Sequence, residues 1–369
     1  MICAAAAITV PELTNLILTG SSMTVILITG ANGEIGHSLI NHYLKDPATH
    51  IVALDLKPGV ESYPAARVTQ VEGDILDQDL IRKLGERFTF DTIFHLAALL
   101  STGGERNPLR AHQVNVEGSF NLLNLAREQS EARQQPVKFI FPSTIAIYGI
   151  PTAEAKAAAG AIREDQFLAP ITMYGANKLY VENLGRYFTS YFRFLEESSP
   201  DSRVDFRSVR LPGVVSATTV PSGGTSDFGP EMLHAAAQGK AYGCFVTPDA
   251  RLPFMVMPDA IRALTTLAAA PREKLTQQVY NVTAFSLSAE EIRREVLRYF
   301  PHAEIGYHIH PKRNAIVASW PGDTDDTAAR RDWGWQPQYD KDSAFRSYLV
   351  PAVMKRYQPA AEPLSANGH

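Results

Sequence analysis

The chain has 369 residues, 45% of them hydrophobic and 20% charged, a globular composition with material for a large core. A net charge of −4 leaves no basic footprint for nucleic acid, and no apolar run reaches the roughly 20 residues that span a bilayer. Only Cys3 and Cys244 occur, which excludes a disulfide framework and a cysteine metal site; no metal is expected, and the setting expected is reducing and cytoplasmic.

Residues 1–22, "MICAAAAITVPELTNLILTGSS", are apolar but hold no Lys or Arg, so the basic start of a secretory signal is missing. They are expected to be an extension before a folded unit that begins near Met23. "TVILITG" (24–30) then reads as a buried strand, "IGHSLINHYL" (35–44) as a helix and "HIVALD" (50–55) as a second strand. The alternation runs on through strand 66–74, helix 77–88, strand 91–98, helix 108–129 and strand 137–144. "TAEAKAAAGA" (152–161) is an Ala-rich surface insertion with helical composition. A long helix at 174–195 and a strand at 204–212 follow.

Buried strands alternating with amphipathic helices predict an α/β fold, a doubly wound parallel sheet covered on both faces. Past residue 212 the composition turns to Gly, Pro, Ser and Thr, with a helix near 229–239 and another from about Asp259. Strand 278–284 comes next, and Ser288 and Glu291 form a capping box before "IRREVLRYF". The expected organisation is a Rossmann-type unit over 23–212, with 254–275 returning to it. A smaller α/β substrate lobe takes 213–253 and 276–350, and residues 358–369 form a tail without periodicity.

"TGANGEIG" puts Gly30, Gly33 and Gly36 between the first strand and its helix. Such glycines let the backbone turn tightly and approach a pyrophosphate at the positive helix N-terminus. Asp55, ending the second strand, can accept from both ribose hydroxyls and would repel a 2′-phosphate, so NAD is the expected cofactor. Asp74, in "GDILD", is a candidate for the adenine edge, or a loop acid without a ligand.

Tyr174 and Lys178 stand four apart at the start of a predicted helix, on one face. A phenol titrates near about 10, too high for a base at neutral pH, and a neighbouring ammonium lowers that value. Lys178 can also hold a nicotinamide ribose. Thr144, at the end of a strand, can orient a substrate hydroxyl; Ser143 is the adjacent alternative.

The glycine cradle, "HLAA" (95–98), "VNVEGSFNLL" with Asn115, "PST…YG", Tyr174-x-x-x-Lys178 and "RLPGV" together resemble the extended short-chain dehydrogenase/reductases, the NAD-dependent epimerase/dehydratase family, over nearly all of 23–350. Within that family, "LAALLS" (96–101), "RLPGVVSA" (210–217), "PSGGTSDF" (221–228), "DARLPFMVMPD" (249–259) and "ASWPGDTDDTAARRDWGWQPQYD" (318–340) resemble the short-chain L-threonine 3-dehydrogenases. The resemblance implies oxidation of the threonine β-hydroxyl with NAD to 2-amino-3-ketobutyrate. It implies Tyr174 as base, Lys178 as its activator, Thr144 as orienter, and a homodimer pairing helices 108–129 and 174–195. It places Asn32, Glu34, Ile35, Ile75, Leu96, Ala97, Ala98, Asn115 and Pro212 with the glycines and acids on NAD. Ser101, Ser143, Thr144, Tyr174, Gly213, Thr225 and Asp227 fall to the substrate. Trp320, Trp333 and Trp335 are expected to pack the lobes.

Residues 214–253 hold only Lys240 and Arg251 against Asp227, Glu231 and Asp249, a poor setting for a nucleotide-sugar diphosphate unless 285–331 contributes. A small substrate is therefore favoured over the nucleotide-sugar epimerase or dehydratase alternative, and a non-catalytic NAD sensor is a third reading. "PSGGTSDFG" (221–229) reads as a lid hinged at Gly223 and Gly224.

Overall fold

Seven buried runs pair into one parallel sheet in the order Val279–Asn281, Asp205–Leu211, Lys138–Thr144, Thr92–His95, Thr24–Thr29, Thr49–Asp55, Val68–Glu72. The computed structural model describes residues 23–59, 61–196, 203–221 and 224–357. The expected extension 1–22, the tail 358–369 and Gly223 lie outside the described residues. Strand alternation splits each run between two cores. Ile26, Ile28, Ile51 and Ala53 face one, under the helices Glu34–Tyr43 and Met257–Ala269. Leu27, Val52 and Leu54 face the other, with Leu84, Leu122 and Val181 of the helices Gln78–Arg87, Gly118–Arg133 and Met173–Ser190.

The chain builds outward from Thr24–Thr29 to Val68–Glu72, then crosses back to Thr92–His95 on the other flank. The reversal opens a crevice at the carboxyl ends of Thr24–Thr29 and Thr92–His95, where doubly wound sheets bind ligands. Val279–Asn281 was assigned by sequence to the second lobe, whereas the structure pairs it along Asp205–Leu211. A three-residue strand carries little pattern of its own, and the open edge of Asp205–Leu211 decides its place.

A second layer holds the three-stranded sheet Phe285–Ser288, Arg251–Val256, Gly213–Val215. The helices Phe228–Ala237 and Ala289–Tyr299 cover it, burying Phe228, Met232, Phe254, Ile292 and Val296. The capping box forms: Glu291 N donates to Ser288 Oγ at 3.2 Å and Ser288 N to Glu291 Oε2 at 2.7 Å. Trp333 and Trp335 pack in the core below the central sheet, and Trp320 in that of the second layer. The insertion folds as the helix Ala153–Ala159, closed by Gly160 at φ +63°. Among the described residues no helix is long and apolar enough to cross a membrane, and no group of side chains could hold a metal ion.

Candidate active site

Each glycine of the cradle is set by backbone proximity. Gly30 adopts φ +69°, and a Cβ there would lie 2.7 Å from Ala97 N across the crevice. A Cβ on Gly36 would lie 2.4 Å from the Ala31 carbonyl oxygen, so only glycine lets the helix start this close to the strand. Gly33 caps that helix without a side-chain hydrogen bond, which leaves first-turn N–H groups available to an anion. Ile35 packs beneath, in the core.

Asp55 faces the same loop, its carboxylate accepting from Asn32 N at 3.0 Å and Lys57 N at 3.2 Å. The Asn32 amide in turn bridges the carbonyls of Lys57 and Pro58. A cavity of about 250 Å³ lies between them, lined by Gly30, Asp55, Asp74, Ile75, Ala97 and Ala98 among others. Asp74 is ion-paired to Arg110 at 2.9 Å, so an adenine would meet a neutralised acid there. Leu96 seats in the core beside the cavity. This donor set and the closed-in backbone fit NAD.

Glu34 was expected at the cofactor. Its carboxylate instead accepts from Ser216 Oγ and Thr218 Oγ1, at 2.5 and 2.7 Å, and ties the cradle helix to the second lobe. Asn115 sits in a π-helical turn, Gln113–Glu117, which widens the helix locally. Its amide accepts from Leu99 N at 2.8 Å and donates to the Leu99 carbonyl at 3.0 Å, fixing the loop that follows Thr92–His95. His95 is buried between Thr29 and Ser119, and burial pushes it down to about 3, a neutral imidazole.

Thr172 caps the next helix by accepting from Gly175 N at 3.1 Å. A Cβ on Gly175 would overlap the Ala146 carbonyl oxygen, so glycine after Tyr174 presses this helix onto the turn that follows Thr144. Tyr174 is thereby brought beside Thr144, whose hydroxyl pulls the phenol downward. Burial pushes the Tyr174 phenol up to about 12, against the pull of the Thr144 hydrogen bond. Lys178 is 4% exposed; its ammonium donates to the Pro142 carbonyl at 2.8 Å and lies 5.7 Å from the Tyr174 ring centre. Burial lowers it to about 7, and the Glu182 carboxylate one turn on opposes that shift.

Ser143 neighbours Thr144 on the strand, and alternation turns it inward. Its hydroxyl donates to Glu182 at 2.5 Å, away from a substrate role. Arg210 binds Glu182 through two hydrogen bonds of 3.0 and 2.7 Å and reaches Tyr148 Oη at 2.9 Å. Glu182 and Arg210 escaped the sequence reading, although the four-residue step from Lys178 to Glu182 was a visible signal.

Across the crevice, Thr225 Oγ1 donates to Ser101 Oγ at 3.1 Å, both side chains buried. Asp227 was expected at the substrate but accepts from Gly224 N at 2.6 Å, closing its own turn. Gly213 follows the buried Pro212 and admits the Phe254 ring, which a Cβ would meet at 2.6 Å. Arg251 is committed to Glu291 at 2.7 and 2.6 Å. A larger cavity of about 540 Å³, beside Lys156 and the inserted helix, contains none of the predicted site residues.

The model of the NAD dependent epimerase/dehydratase family matches residues 26–283, the span that carries the cradle, Tyr174 and Lys178. The chain belongs to this family. It is an NAD-dependent oxidoreductase. Among relatives in the family, the mitochondrial L-threonine 3-dehydrogenase of Bos taurus is 33% identical over 317 residues, 85% of this chain and 79% of that protein. The L-threonine dehydrogenase structure from Phytophthora infestans is 36% identical with a TM-score of 0.77, covering 89% of this chain and 99% of that one. A monomeric L-threonine 3-dehydrogenase from a metagenome, in its apo form, is 31% identical with a TM-score of 0.77, covering 90% and 100%.

Proposed function

We propose that this enzyme oxidises the β-hydroxyl of L-threonine to 2-amino-3-ketobutyrate. The observation that carries the reading is Tyr174 held beside Thr144, with Lys178 one turn below and the Ser101–Thr225 pair closing the facing wall. NAD, held by the glycine cradle and Asp55, supplies the hydride acceptor when bound. Thr144 orients the substrate hydroxyl, and Tyr174 as phenolate takes its proton. Lys178 stabilises that phenolate, and Glu182, itself held by Arg210, keeps positive charge on Lys178. The polar, uncharged Ser101 and Thr225 suit a small polar substrate. The pairing of Arg251 with Glu291 takes away one of the cations that a nucleotide-sugar diphosphate would need.

Purified protein with NAD and L-threonine should accumulate one NADH per threonine consumed. Threonine-independent behaviour, with epimerisation of a nucleotide-sugar and no net NADH, would sink the proposal. We also propose a homodimer through the helices Gly118–Arg133 and Met173–Ser190, which expose Phe120, Tyr180 and Tyr187. Sedimentation at twice the 40.5 kDa chain mass would support it, and sedimentation at the chain mass, as a monomer, would refute it.

A further inference from the structure

A β-hydroxy α-amino acid brings a carboxylate into a water-poor pocket, where it needs a cation. The wall nearest that pocket, Ser101 and Thr225, carries none. Arg313 lies beside it, on the helix Pro311–Ala318. Its Nη2 donates to the Gly224 carbonyl at 2.7 Å, and the next residue, Thr225, reaches Ser101. Ser101 opens the helix Ser101–Arg106, whose Gly104 lies against Tyr174: a Cβ there would be 3.7 Å from Tyr174 N. Contiguous contacts thus join Arg313 to the reacting side chains.

The guanidinium is oriented but underused. Its central carbon stands 3.2 Å from the centre of the Phe245 ring, which fixes the plane and leaves the edge for hydrogen bonds. Among the described residues no carboxylate oxygen lies within 4.0 Å of it. Glu231, an acid that feels its charge, is occupied by the Tyr242 hydroxyl at 2.6 Å. By contrast, Arg251 Nη2 reaches both Glu291 oxygens, Arg293 and Arg298 pair with Glu290 and Glu295, and Lys156 donates to the carbonyls of Arg251 and Val317.

We propose that Arg313 binds the substrate carboxylate and selects β-hydroxy α-amino acids over amino alcohols that lack the carboxylate. The proposal rests on the small-substrate reading given above. Its geometric content is a planar donor fork, stacked on Phe245 and braced by the Gly224 carbonyl, one residue from the Thr225–Ser101 pair.

The test compares L-threonine with 1-amino-2-propanol of matching configuration, which is threonine without its carboxylate. In Arg313→Met, KM for threonine should rise about 10- to 100-fold, the range of a lost charge-assisted hydrogen bond, while KM for NAD stays unchanged. Turnover of 1-amino-2-propanol should change little, so the preference for the acid collapses. Equal losses on both substrates would make Arg313 a support for the strap and overturn the proposal, as would an unchanged preference. If the Met variant fails to fold, Arg313→Lys keeps the charge but not the fork and should retain part of the preference; a full preference would overturn the bidentate role. Calorimetric binding of L-threonine to the NADH complex separates the two readings. Arg313-dependent binding without turnover refutes threonine oxidation alone, and threonine oxidation with an unaltered preference refutes Arg313 alone. Neither binding nor turnover refutes both.

Discussion

The two walls of the crevice are built differently. On the cofactor side, Gly30 and Gly36 are dictated by backbone approaches of 2.7 and 2.4 Å that any side chain would violate, and Gly33 sits against a tight one of 3.3 Å. The strand that leads into them is paired on both sides. On the substrate side, side-chain hydrogen bonds join segments far apart in the chain: Ser101 to Thr225, Arg313 to Gly224, Glu34 to Ser216 and Thr218. The first wall is rigid before anything binds. The second is assembled from few contacts, each worth about 1–3 kcal/mol, so it can be altered without disturbing the first.

The largest effect that would sharpen this contrast lies where the walls meet. In Lys178→Met the phenolate of Tyr174 loses its cationic neighbour. Burial already holds that phenol up at about 12, so the rising limb of the pH–kcat profile should move to higher pH. At neutral pH kcat should fall by about 10²–10⁴-fold. An unmoved limb would mean that Lys178 does not tune Tyr174. A smaller effect is expected from Thr225→Ala, a roughly five-fold rise in the threonine KM from one lost hydrogen bond, with NAD affinity intact. A fall in NAD affinity would show that the strap belongs to the cofactor wall and would break the contrast.

The same difference explains what the sequence disclosed. The cradle, Asp55 and the Tyr174–Lys178 pair are local: their spacing is their geometry, so they could be read directly. Val279–Asn281 could not, because its place depends on the free edge of Asp205–Leu211. Ser143, Glu34 and Asp227 were named from their place in the sequence, whereas strand facing and the partners Glu182, Ser216 and Gly224, which engage their side-chain oxygens, could not be read there. Arg313 gave no signal at all. Its significance arises only when the chain brings residues 224 and 313 together.

The central claim is removal of the β-hydrogen of threonine as hydride at the Tyr174 site. L-threonine carrying deuterium on its β-carbon, incubated with NAD and the purified enzyme, tests it directly. Deuterium should appear on the nicotinamide ring of the NADH formed, and Tyr174→Phe should lose that transfer almost entirely. Unlabelled NADH, or label transfer that survives Tyr174→Phe at the wild-type rate, would contradict the account.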